Sequence, residues 1–90
     1  MKTLKTTKQF KKDVNRLKKQ GKDINKLRIA LDIICEERDL RVKYRDHKLI
    51  GNYKHARECH IETDWLLIYE TDEDTVTLRR TGSHSELFKM

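Results

Sequence analysis

Residues 56–80 read ARECHIETDWLLIYETDEDTVTLRR. At their centre, Trp65–Tyr69 is an uninterrupted apolar and aromatic run. It is too short for a core helix and is bounded by turn-forming residues, Asp64 on one side and Thr71–Asp74 on the other. Such a run reads as a buried central strand. Residues 56–61 before it and Thr75–Arg80 after it are strand-like and joined to it by short turns. Together they predict a three-strand antiparallel meander.

Upstream of the meander the apolar period changes from strand to helix. Phe10, Val14 and Leu17 recur at helical spacing, with Lys and Arg on the other faces. Thr6 or Thr7 is placed to cap that helix, and Gly21 to end it. Asp23 can cap a second helix, with Ile24, Leu27, Leu31 and Ile34 as its stripe, widened by Ile33 and Cys35. It should end near Glu37. The connection is so short that the two helices should form an antiparallel hairpin. Lys2–Thr6 reads as a short first strand. Residues 38–54 show no period and read as a long loop, which in a small domain is often functional. Thr81–Met90 reads as a short ending. The expected architecture is α+β, a single domain over residues 1–90, with a helical hairpin packed on one face of a small, mostly antiparallel sheet. No helix is predicted to cover the opposite face, where polar side chains from several strands can converge.

A chain of 90 residues buries one modest core, so a site should lie on a surface or in a shallow groove. The net charge is +6 and unevenly spread. Residues 1–45 hold 15 Lys/Arg against 6 Asp/Glu, while residues 46–90 hold 6 against 9. The basic half suits a polyanion, or an acidic protein that covers it. All four histidines lie in the other half, at 47, 55, 60 and 84. Cys35 and Cys59 make no disulfide framework and read as small buried hydrophobes in a reducing compartment. No apolar run is long enough to span a membrane, and no signal-peptide pattern opens the chain, so a cytoplasmic protein without membrane contact is expected.

RNA carries its own nucleophile, the ribose 2′-hydroxyl. Cleavage then needs a base for the 2′ proton, an acid for the leaving 5′ oxygen and a cation for the phosphate. Histidine suits the first two roles and arginine the third. The candidates are His47, His60, His84, Asp64 and Arg80. Each also has a plain structural reading: surface histidine, turn aspartate, surface arginine, with Trp65 a core anchor and Phe88 either core or a base-stacking platform. His55 and His60 have neither helical nor same-face strand spacing, and neither cysteine is a paired ligand. No metal site and no cofactor are expected.

Taken together, Tyr44-Arg45-Asp46-His47, Leu49, Gly51, Arg57-Glu58-Cys59-His60, Asp64-Trp65-Leu66-Leu67-Ile68-Tyr69, Arg80-Thr81-Gly82-Ser83-His84 and Leu87-Phe88 resemble the YafQ group of RelE-superfamily toxins in order and spacing. The resemblance covers nearly the whole chain, with its specific part at residues 44–88. It implies a toxin of a type II toxin–antitoxin system that enters the ribosomal A site and cleaves mRNA without metal. The family's catalytic pattern falls on His47, His60, Asp64 and His84. Its phosphate-contacting arginine falls on Arg80, its C-terminal aromatic on Phe88, and a supporting position on Trp65. His55 matches no site position. The resemblance also implies a cognate antitoxin, acidic and partly disordered when free, and contact with operator DNA only through the toxin–antitoxin complex.

Three departures stand out. Lys48 and Thr63 occupy positions where related sequences commonly have proline, and Ala56 one that is often aromatic. Regular alternation would also put Arg80 on the core face with Val76 and Leu78, so either a bulge re-aims it or the strand stops short. The alternatives are a ParE-type toxin, which shares the fold but inhibits gyrase without a histidine cluster, and a basic RNA- or ribosome-binding module without catalysis.

Overall fold

The computed structural model describes residues 2–36, 47–48 and 56–88, and for His47, Lys48 and Phe88 the backbone alone. The chain order is β1 (Thr3–Thr6), α1 (Lys8–Lys19), α2 (Ile24–Cys35), β2 (His47–Lys48), β3 (Ala56–Glu62), β4 (Trp65–Thr71), β5 (Thr75–Gly82) and α3 (His84–Phe88). The strands form one sheet in the order β1-β5-β4-β3-β2. The β1–β5 pair is parallel and the others are antiparallel. The predicted meander is β3-β4-β5, with β4 in the middle of the sheet.

The local signals act where the sequence places them. Thr7 caps α1 by accepting the Phe10 N–H at 3.0 Å. Gly21, at φ +81°, lies just beyond the end of α1. There its N–H bonds the Lys18 carbonyl and the Lys22 N–H bonds the Leu17 carbonyl, which closes the helix and turns the chain. Asp23 caps α2 through the Asn25 N–H. On α2 the most deeply buried positions are Leu27, Ala30, Ile34 and Cys35; Leu31 is only half-buried. The buried stripe thus includes Ala30, fully buried, where the expected one had Leu31.

Alternate residues of β4 serve two cores. Trp65, Leu67 and Tyr69 point to the helical hairpin and pack with Phe10, Leu17, Leu27, Ala30, Ile34, Cys59, Val76 and Leu78. Leu66 and Ile68 point to the other face, where they pack with Ala56 and Leu87. This differs from the expectation of an uncovered second face: α3 places Leu87 on it. A five-residue helix is too short to show a period, which is why Thr81–Met90 reads from sequence only as a short ending. Cys35 and Cys59 are both buried free thiols. No helix among the described residues is long and apolar enough to cross a membrane. Apart from His47 and Lys48, the predicted loop at 38–54 lies outside the described residues, as do Tyr44 and His55.

Candidate active site

The sheet register explains why residues distant in sequence meet. His60, Leu66 and Gly82 stand in one row across β3, β4 and β5. His47, Glu58, Ile68 and Arg80 stand two rows away. Residues directly opposite each other share a face, so His60 and Glu58 lie on the face of Leu66 and Ile68, away from the helical hairpin. Bulges interrupt the ladder in two places. One lies between His60 and Glu62. The other lies on β5, where Ile68 pairs with Arg80 but Tyr69 pairs with Leu78, so Arg79 is the extra residue. That second bulge removes the parity conflict. It moves Arg80 out of alternation with Val76 and Leu78, which stay in the core.

Asp64, in the turn between β3 and β4, reaches the start of α3. Its Oδ1 accepts the His84 backbone N–H at 3.0 Å and lies 2.8 Å from His84 Nδ1. A carboxylate can only accept, so Nδ1 carries the proton, and in the neutral ring Nε2 is the basic nitrogen. The His84 backbone N–H, and then the His84 ring, hold the Asp64 carboxyl below the usual carboxylate range. Asp64 is therefore ionised at neutral pH. The His60 ring centroid lies 5.8 Å from that of His84 with the planes tilted by 55°. His60 Nε2 lies 3.4 Å from Oε1 of the buried Glu58. The His60 side chain is mostly buried while that of His84 is 41% exposed, so the pair has one ring set in the sheet and one facing solvent.

α3 begins with a capping box. Ser83 Oγ accepts the Glu86 N–H and Glu86 Oε1 accepts the Ser83 N–H at 2.9 Å. Gly82, at φ +156°, precedes it in a backbone conformation that favours glycine, and a Cβ there would lie 2.5 Å from Arg16 Nη2, so that guanidinium would have to shift. Trp65 is fully buried. Its indole N–H donates to Thr81 Oγ1 at 2.8 Å, and that hydroxyl donates to the Leu66 carbonyl at 2.8 Å. Trp65 is thus a core anchor that also ties β5 to β4 just before the His84 turn. A groove of about 320 Å³, lined by residues including Gln20, Lys22, Asp64 and Ser83, opens beside the dyad.

The structure thus brings His60, Asp64 and His84 together and puts Trp65 beneath them. Arg80 lies in the same sheet, two rows from His60 in the register, with its guanidinium paired to Asp13 of α1. His47 is placed by its backbone opposite Glu58; its side chain and that of Phe88 lie outside what is described. Sequence reading missed Asp13, Glu58 and the Ser83–Glu86 box. Each left a signal: an acid inside the Phe10–Leu17 apolar stripe, an acid two residues from His60 on the same strand face, and a Ser-x-x-Glu spacing. Among the described residues, no group of three or more His, Cys, Asp or Glu side chains is placed to hold a metal ion.

A family model described as the bacterial toxin of type II toxin–antitoxin systems, YafQ, matches residues 2–89. The chain belongs to this YafQ toxin family. The mRNA interferase toxin YafQ of Escherichia coli strain K12 is 38% identical over 81 residues, covering 89% of this chain and 88% of that protein. YafQ in the crystal structure of the E. coli DinJ–YafQ toxin–antitoxin complex superposes with a TM-score of 0.91 at 35% identity, covering 97% of each chain. A metal-bound toxin from Helicobacter pylori superposes with a TM-score of 0.92 at 44% identity, covering 98% of this chain and all of that one. The α+β arrangement of a helical hairpin on a mostly antiparallel sheet is therefore the YafQ fold.

Proposed function

We propose that this YafQ-family toxin is an mRNA interferase, a metal-free endoribonuclease that cuts messages in the ribosomal A site. The observation that carries the reading is the Asp64–His84 pair with the His60 ring 5.8 Å away. At that spacing one phosphodiester can touch both rings. Asp64 fixes the His84 tautomer and leaves Nε2 to take or give a proton, which suits His84 to acid–base work on the ribose 2′-oxygen or the leaving 5′-oxygen. His60, His47 or both supply the complementary transfer. Arg80 steadies the charge on the phosphate, and Phe88 offers a surface for base stacking. The product is a 2′,3′-cyclic phosphate and a free 5′-hydroxyl.

The E. coli relative's interferase name and its structure with DinJ support two further statements about this chain. Its substrate is mRNA, and a cognate antitoxin binds it. That antitoxin is acidic, complementing the +6 charge, and partly disordered when free. The toxin acts in the cytosol and meets operator DNA only within the toxin–antitoxin complex. The test is cleavage of a defined message by purified wild type and His84→Ala, with and without ribosomes. The wild type should cut only translated message, and His84→Ala should lose at least about 10²-fold in rate. Equal cutting by both proteins would remove His84 from the chemistry. No cutting by the wild type under either condition would favour a gyrase-type binding toxin.

A further inference from the structure

β1 ends at Thr6, opposite Leu78, while β5 runs on to Gly82. The backbone of Thr81 therefore faces an edge where, among the described residues, no strand continues. α1 fills that edge with side chains. Asp13 Oδ2 accepts the Thr81 N–H at 3.2 Å, and Arg16 Nη2 donates to the Thr81 carbonyl at 3.0 Å. Two side chains thus stand in for the missing strand.

The same carboxylate holds Arg80. Arg80 Nε donates to Asp13 Oδ2 at 2.9 Å and Nη2 to Oδ1 at 3.3 Å. This two-point contact occupies one edge of the planar guanidinium and fixes its plane, so that Nη1 is directed away from Asp13. Arg16 Nη1 and Gln9 Nε2 also donate to Oδ1, at 2.8 and 3.2 Å. Arg80, Arg16, Gln9 and the Thr81 N–H all donate to the Asp13 carboxylate, and Asp13 itself is fully buried. Burial pushes its carboxyl up, but the hydrogen bonds from Arg80, Arg16, Gln9 and the Thr81 N–H outweigh that, so it titrates below its ordinary value.

We propose that Asp13 is a positioning residue for cleavage: a buried carboxylate on α1 that orients Arg80 for the scissile phosphate. The inference rests on the reading of Arg80 as the phosphate contact. A guanidinium held on one edge meets its ligand without first losing rotamer freedom, and misplacement by about 1 Å can cost on the order of 10²-fold in rate. Asparagine cannot replace Asp13, because its NH2 would face a donor.

The test is a double-mutant cycle in ribosome-bound, single-turnover cleavage, with thermal melting of each protein alongside. Asp13→Asn and Arg80→Ala should each slow cleavage by about 10²-fold while the ribosome concentration for half-saturation stays near that of wild type. The double variant should be no slower than Arg80→Ala alone, because Asp13 acts through Arg80. A folded Asp13→Asn that cleaves at the wild-type rate overturns the proposal, as do two losses that multiply. If Arg80→Ala itself cleaves normally, the phosphate role of Arg80 falls and the inference with it. Should Asp13→Asn melt below the assay temperature, the cycle is run with Asp13→Glu, which moves the carboxylate without removing it, and the same non-additivity is required.

Discussion

Asp64 contributes two hydrogen bonds to His84, one to the main chain and one to the ring. The first ties the start of α3 to the β3–β4 turn. The second selects the ring tautomer. In Asp64→Asn the amide oxygen can still accept both bonds at Oδ1 but brings no negative charge beside the ring, so the single-turnover cleavage rate should fall by roughly 10²-fold. Ribosome binding should change little. An unchanged rate would show that His84 needs no orienting carboxylate. Because the His84 contacts lower the carboxyl's pKa, the activity that depends on its charge is fully present above the ordinary carboxylate range. It is lost only as pH falls below that range. No ionisation of Asp64 should therefore be visible in the rate profile near neutrality.

The hairpin between β4 and β5 is set by a side chain outside the site. Asp72 Oδ1 accepts the Asp74 N–H, the Thr75 N–H and the Thr75 hydroxyl at 2.9, 2.8 and 2.7 Å. The Thr75 hydroxyl first, then the Asp74 and Thr75 N–H groups, lower its pKa from 3.8 to about 2. A depressed folded-state pKa stabilises above the unfolded value and is lost as pH falls through the folded one. The difference in urea midpoint between wild type and Asp72→Ala should therefore be full at pH 6 and shrink between about pH 4 and pH 2. A gap that stays constant over that range would mean the charge does not hold the turn. The elements were legible in the sequence wherever they are long and periodic. Phe10 and Leu17, Leu27 and Ile34, and the Trp65–Tyr69 run all occupy the faces their spacing implies. The five-residue α3 carries too little periodicity to be read. The conflict over Arg80 was visible as a break in alternation, but choosing a bulge at Arg79 over an early strand end took the register itself. The His60–His84 approach was hidden for a related reason: it depends on which row pairs with which, and a one-residue slip in register would separate the rings. The Asp13–Arg80 pair, 67 residues apart in the chain, depends on where β1 stops.

Across the whole molecule, charge is divided between two tasks. The exposed lysines of α1, among them Lys8, Lys11, Lys12, Lys18 and Lys19, form a solvated basic face. The dyad is held instead on the acidic half of the chain. If that basic face docks on ribosomal RNA, neutralising Lys8, Lys11 and Lys12 together should reduce the slope of log affinity against log salt by about 2. His84→Ala should leave that slope unchanged. Ribosome sedimentation over a salt series reads both quantities, and identical slopes for wild type and the triple variant would place the docking surface elsewhere. The same face suits an acidic antitoxin, so one surface would serve both docking and neutralisation.

The proposed activity places the cutting of translated messages on the cluster around His84. Its most direct test is induction of wild type and His84→Ala in bacteria lacking the antitoxin, with primer extension on one abundant message. The wild type should arrest growth and give discrete cuts within translated codons, and a folded His84→Ala should do neither. Arrest by both proteins without cuts would contradict it, and the toxin would then act by binding its target and not by cutting RNA.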